Sequence, residues 1–228
     1  MSKLILVRHG QSEWNLANRF TGWWDVDLTE KGVEEARAAG VLMKEHGIRP
    51  TRAFTSYQTR AIKTLNLALE ELDMLWLPVV KDWHLNERHY GGLTGLDKQQ
   101  TREKHGDEQV HIWRRSFDTP PPDMEPGHEY DPGADPRYEG IDVPTTESLK
   151  LTIERVLPYY REAILPPLEA GETVLVSAHG NSLRALVKHL SGISDDDITG
   201  LEIPTGEPII YDFDAKMVPG ERYYLKDA

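Results

Sequence analysis

The chain has 228 residues, enough for one large domain or two small ones with a real hydrophobic core. It has no cysteine, which excludes disulfides, zinc–thiolate sites and a cysteine nucleophile. A formal net charge of −12 argues against general binding to nucleic acid or anionic membrane, and no apolar run approaches the ~18 residues of a membrane span. An acidic protein that handles an anionic metabolite must gather its positive charge locally, so clustered arginines carry extra weight here.

Lys3-Leu4-Ile5-Leu6-Val7 reads as a short buried strand. Arg8-His9-Gly10 breaks it, so it fails as a signal-peptide core and a cytoplasmic location is expected. Leu28 to Gly47 reads as a helix, capped by Thr29, with Val33, Ala36, Gly40 and Met43 on one face. Arg52 to Ser56 is a second strand, followed by a helix whose inner face is Ala61, Leu65, Ala68 and Leu72. A third extended segment begins at Pro78-Val79-Val80. Thr145 to Ala170 predicts a long helix kinked at Pro158. Thr173 to Ala178 is the best strand, running through His179-Gly180 into a helix from Asn181 to Leu190. Pro208 to Phe213 and a short piece near Tyr223-Leu225 close the pattern.

Alternating strands and helices predict an α/β fold: three α/β/α layers around a mostly parallel sheet, in one domain spanning 1–228. The stretch at about 96–143 breaks the alternation. It is charged, and Pro120-Pro121-Pro122 reads as loop, so it predicts an insertion over the sheet.

In open α/β sheets, ligands sit beyond the carboxyl ends of the strands. His9 and His179 each follow a strand and precede a glycine. The helix after His179 aims its N–H groups at the same place, a ready anion site. Arg8 adjoins His9, and Arg60 follows the second strand. A lone histidine after a strand is more often structural, and a lone arginine is usually solvated. Two histidine–glycine strand ends with a strand-end arginine are a less common coincidence, and they suit a phosphoryl group. His84, His89, His105, His111 and His128 show no metal-ligand spacing, so no metal is expected.

Leu6-Val7-Arg8-His9-Gly10-Gln11-Ser12-Glu13-Trp14-Asn15 resembles the signature of the histidine phosphatase superfamily. Phe20 to Asp25, Leu85 to Gly91, Trp113 to Phe117 and Ser177 to Arg184 extend the resemblance to the cofactor-dependent phosphoglycerate mutases over nearly the whole chain. The resemblance implies a phosphoglycerate mutase-like fold and interconversion of 3-phosphoglycerate and 2-phosphoglycerate in glycolysis and gluconeogenesis. The cofactor it implies is 2,3-bisphosphoglycerate, both primer and intermediate. His9 would carry the phosphoryl group. His179, Arg8 and Arg60 would stabilise its transfer, and Glu87 would be the general acid/base. Gln11, Ser12, Asn15, Thr21, Gly22, Arg88, His89, Tyr90, Lys98, Arg114, Arg115, Gly180 and Asn181 would hold the substrate. Small phosphoglycerates are the implied partners, without nucleic acid or membrane, and a homodimer is compatible with the family.

Two alternatives stay open: a phosphatase of the same superfamily, and a non-catalytic binder of a phosphorylated ligand. Set against the family it resembles, the loop after Pro122 is expected to be shorter than in many bacterial members. The chain ends at Ala228, where tailed relatives continue, and a hydrolytic leak from the phosphoenzyme is the expectation drawn from that.

Overall fold

The computed structural model describes residues 2–228. The first strand, β1 (Lys3–Arg8), is followed by the single turn α1 (Glu13–Leu16) and by α2 (Glu30–Glu45). Next come β2 (Arg52–Thr55), α3 (Thr59–Glu71) and β3 (Val79–Lys81). Two short helices, α4 (Lys98–His105) and α5 (Asp107–Arg115), precede a long irregular segment. The chain then forms α6 (Leu149–Tyr159), α7 (Leu165–Glu169), β4 (Thr173–Ala178), α8 (Gly180–Ser191), β5 (Ile209–Asp212) and β6 (Tyr223–Tyr224).

The six strands lie in the order β3-β2-β4-β1-β5-β6. The first four are mutually parallel; β5 and β6 join antiparallel at one edge. Alternate residues of a strand face opposite sides. Leu4, Leu6, Val174 and Val176 therefore join the core beneath α6 and α8, while Ile5, Val7 and Leu175 join the core beneath α2 and α3. Both faces of the sheet are covered, as the near-continuous apolar strands require. Among the described residues no helix is long and apolar enough to cross a membrane.

Helix α2 is capped by Thr29, whose hydroxyl accepts the Gly32 amide at 3.1 Å. Its buried stripe is Gly32, Ala36, Ala39, Gly40 and Met43, with Val33 only half-buried at the margin. The face is rotated toward small residues because the backbone comes close there. A Cβ on Gly10 would meet the Gly32 carbonyl at 2.1 Å. Gly10 thus allows close contact with α2.

The long helix expected over Thr145–Ala170 starts at Leu149, capped by Ser148, and is broken into α6, a π-helical turn at Tyr160–Ile164, and α7. The break falls between Pro158 and the Pro166-Pro167 pair, residues lacking the N–H that an α-helical turn needs.

The segment at 96–143 contains α4 and α5, helices that the reading of an insertion did not specify. Asp97 caps α4, accepting the amides of Gln99 and Gln100 at 2.8 and 2.9 Å. Phe20, Leu93 and Val110 form a small separate core, with Tyr90 and Trp113 against it. Each such buried side chain contributes roughly 1.5–3 kcal/mol, which holds these helices over the sheet.

Candidate active site

Parallel register sets three strand ends at one level. Arg8 pairs with Ala178, and Thr55 with Ser177. The ladder continues one residue further, with the His9 amide donating to the Ala178 carbonyl at 3.0 Å. His9, Ser56 and His179 therefore meet beyond the carboxyl edge of the sheet. The His9 and His179 rings are 5.0 Å apart between centroids, tilted by 59°.

His9 is buried, and its Nδ1 lies 2.7 Å from the Gly10 carbonyl. A carbonyl only accepts, so Nδ1 carries the hydrogen and Nε2 keeps its lone pair. Burial, together with Arg60 and Arg8, holds the His9 pKa well below the usual histidine range. The same causes, burial first and then Arg60 and His9, depress His179. Both imidazoles are neutral at pH 7. His179 Nε2 shares a 2.7 Å hydrogen bond with the Ser56 hydroxyl, while its buried Nδ1 has no partner among the described residues.

Arg60 is buried in the first turn of α3. It donates to the carbonyls of Gly22 at 2.9 Å and Trp24 at 3.1 Å. Burial lowers its pKa to about 10, against the supporting charges of Glu87 and Asp25, so the guanidinium stays charged. Gln58 adds a second donor to the Gly22 carbonyl at 2.7 Å. Gly22 can present that carbonyl because its φ is +58°, a conformation that costs glycine little. Gln58 also accepts the Glu87 amide at 2.8 Å, tying both segments to α3.

Glu87 is buried at the pocket wall. One carboxylate oxygen accepts two amides, Arg88 at 2.7 Å and Asn181 at 3.1 Å. The second of these comes from the start of α8, where unpaired N–H groups favour negative charge. The other oxygen has no protein hydrogen bond among the described residues.

His9, Gly22, Arg60 and Glu87 line one pocket of about 120 Å³, with His179, Ser56 and Gln58 buried behind its lining. Among the described residues Arg8, Arg19, Arg60, Lys98, Arg114, Arg115 and Arg184 face Glu87 and Glu202 across it, a marked local excess of cations on an acidic protein. Burial lowers the pKa of Lys98 and of Arg114. Arg115 is ion-paired to Glu202. Asn15, Thr21, Gly22, Tyr90, Gly180 and Asn181 also line the pocket.

Four residues expected to bind substrate lie outside it. Gln11 accepts the Thr29 hydroxyl at 3.0 Å, and Ser12 caps α1 in a reciprocal box with Asn15. The Arg88 guanidinium donates to the carbonyls of Trp113 and Arg114 at 3.1 and 3.2 Å, and stands 4.5 Å from the Tyr90 ring centre. His89 sits in the core beside Trp23, accepting the Gly91 amide, and burial takes its pKa down to about 4. Conversely, Arg19, Arg184, Glu202 and Ser56 were not anticipated. Arg184 had a readable signal: it lies one helical turn beyond Asn181, whose side chain accepts its Nη1 at 3.0 Å. Glu202 gives no local signal, since it reaches the pocket only through the return of the chain to β5.

The sequence profile of the histidine phosphatase superfamily (branch 1) matches residues 4–142. A protein of Erythrobacter litoralis named 2,3-bisphosphoglycerate-dependent phosphoglycerate mutase is 82% identical over 228 residues, 100% of both chains. A Zymomonas mobilis protein of the same name is 60% identical over 227 residues, again 100% of both. The chain belongs to the 2,3-bisphosphoglycerate-dependent phosphoglycerate mutases of the histidine phosphatase superfamily. Solved structures of the superfamily share the mutase fold seen here. Bacillus stearothermophilus YhfR superposes with a TM-score of 0.73 at 23% identity, over 96% of this chain and 95% of that one. A mycobacterial glucosyl-3-phosphoglycerate phosphatase superposes with a TM-score of 0.72 at 23% identity, over 92% of each.

Proposed function

We propose that the chain interconverts 3-phosphoglycerate and 2-phosphoglycerate, with a phosphohistidine at His9 and 2,3-bisphosphoglycerate as primer and intermediate. The observation that carries this reading is a neutral His9, with Nε2 free, set against a cationic pocket large enough in charge for more than one anionic group. The names of the 82% and 60% identical relatives support the same chemistry.

In this reading the Nε2 lone pair of His9 attacks phosphorus, and the P–O bond to the substrate oxygen breaks. Arg8, Arg60 and His179 face the equatorial oxygens. Preorganised donors of this kind are the largest source of phosphoryl-transfer catalysis, and they need no reorganisation as charge shifts. The buried, unpartnered Arg8 Nε and His179 Nδ1 support the assignment, since buried polar atoms call for a partner. Glu87 protonates the departing oxygen and takes the proton back when the group returns. Lys98, Arg114 and Arg115 hold the far end of the substrate, and residues 96–143 belong to the same domain as a cover that excludes water. Metal has no part in the proposal, and its place of work is the cytoplasm.

The test is a coupled assay converting 3-phosphoglycerate with and without added 2,3-bisphosphoglycerate. Turnover that rises with the bisphosphate supports the reading. Release of inorganic phosphate without isomerisation would replace it with the phosphatase alternative.

A further inference from the structure

Arg155 lies mid-helix in α6 and outside the pocket, with a side chain only 9% exposed. All five of its N–H donors are spent, three on the backbone around Glu87 and two on the Glu147 carboxylate. Nε and Nη2 hold the Glu147 carboxylate in a fork, at 2.7 and 2.8 Å. Nη1 donates to the carbonyls of His84 at 2.7 Å and Asn86 at 3.1 Å, and Nη2 to that of Glu87 at 2.9 Å. Glu147 completes the clamp, accepting the His89 amide at 2.8 Å while its own amide donates to the His89 carbonyl at 2.8 Å.

The backbone from Asn86 to Tyr90 belongs to no helix or strand. Its buried polar groups must be paired by something, and here one ion pair does it on both sides of Glu87. Packing does not call for that solution. A buried ion pair is often no better for stability than apolar residues of the same volume. What the fork adds is a fixed angle between α6 and the Glu87 backbone.

We propose that Arg155 is a positioning residue for Glu87, fixing its carboxylate so that it can protonate the leaving oxygen. This rests on the roles given to His9 and Glu87 above. In the step concerned, the His9 N–P bond forms, the substrate P–O bond breaks, and the freed oxygen takes the Glu87 proton. An alkyl alcohol leaving group needs that proton. p-Nitrophenolate leaves without it.

The experiment compares wild type, Arg155→Lys and Glu87→Gln as phosphoryl acceptors at His9, from 2,3-bisphosphoglycerate and from p-nitrophenyl phosphate. A lysine keeps the charge against Glu147 but cannot serve three carbonyls as well. Arg155→Lys should lose on the order of 10²-fold with the bisphosphate, the scale of a small misplacement of a reacting group. With p-nitrophenyl phosphate it should stay within a few-fold of wild type, and Glu87→Gln should show the same split. Thermal melting checks that the lysine variant is folded. If it is not, Arg155→Met combined with Glu147→Leu removes both charges together, and the same split is expected. Equal loss on both donors, or no loss on either, overturns the proposal. A wild type without label at His9, or Glu87→Gln without the split, overturns the underlying roles instead, and the proposal falls with them.

Discussion

The rings of His9 and His179 face each other at 5.0 Å on the ends of two paired parallel strands, and both are held neutral by burial and by Arg60. Only His9 has its Nδ1 hydrogen committed to a carbonyl, which leaves Nε2 free for the nucleophilic role proposed for it. Incubation with 2,3-bisphosphoglycerate should therefore label His9 at Nε2. The label should be lost in acid and kept in base, and phosphorus NMR should give the shift of the Nε2 isomer. Label in His9→Ala, or label that survives acid, would remove His9 from the mechanism.

Glu87 is anchored by one carboxylate oxygen, on the amides of Arg88 and Asn181. Glu87→Gln keeps an oxygen for those amides and loses only the transferable proton. Mutase turnover should drop by roughly 10²–10⁴-fold, the usual contribution of a general acid or base. The dissociation constant for 2,3-bisphosphoglycerate, measured by calorimetry, should change little. A variant with near-normal turnover would exclude Glu87 as the proton donor.

His9, His179 and His89 all have depressed pKa values, the last at about 4. In the unfolded chain they titrate near 6.5. As pH falls below 6.5, the unfolded state binds protons that the folded state refuses, so stability falls with pH. Each fully depressed histidine costs about 1.4 kcal/mol per pH unit over that window. Asp27, Asp73 and Asp135 are depressed carboxylates, and they act only below about pH 4, where their unfolded forms protonate. The melting temperature should thus fall steeply between pH 6.5 and 5. Inorganic phosphate should flatten that slope, because an anion in the pocket favours the imidazolium forms of His9 and His179. A melting temperature independent of pH over this range would contradict the buried neutral histidines.

Much of this was legible in the sequence, for a physical reason. Strands buried on both faces are continuous apolar runs, so Lys3 to Val7 and Thr173 to Ala178 stood out, and the residues after them fell at the sheet's carboxyl edge. Arg60 followed from the same rule. Helices α4 and α5 were not legible because they are short and mostly solvated, and their small apolar face meets Phe20 and Leu93 from elsewhere in the chain. Gln11, Ser12, Arg88 and His89 were grouped with the site by the family resemblance alone, which says nothing of where each side chain points. The turns at these points send their side chains into caps, carbonyl contacts and core.

In the proposed mechanism the charge on the transferring group is met by guanidinium and amide donors, and Arg60 is fixed in place by the carbonyls of Gly22 and Trp24. Turnover should survive exhaustive chelation. Loss of activity with EDTA, restored by magnesium or manganese, would show that a cation takes part.

Glu202 is the second carboxylate at the pocket wall, and it pairs with Arg115. Its side chain is 67% exposed, and an ion pair so open to water contributes at most about 1 kcal/mol. A substrate carboxylate or phosphate that uses Arg115 must displace Glu202 or tolerate its charge. Glu202→Gln keeps the size and removes the competition. Its KM for 3-phosphoglycerate should fall by about 2- to 5-fold, the affinity equivalent of that interaction. The turnover number should stay the same or decline, since tighter ground-state binding does not speed the chemical step. Added salt should narrow the difference between variant and wild type, because exposed charges are screened. A KM that is unchanged or higher in the variant would mean that Arg115 binds no anionic part of the substrate, and the far end of the pocket would then be left to Lys98, Arg114 and Arg184.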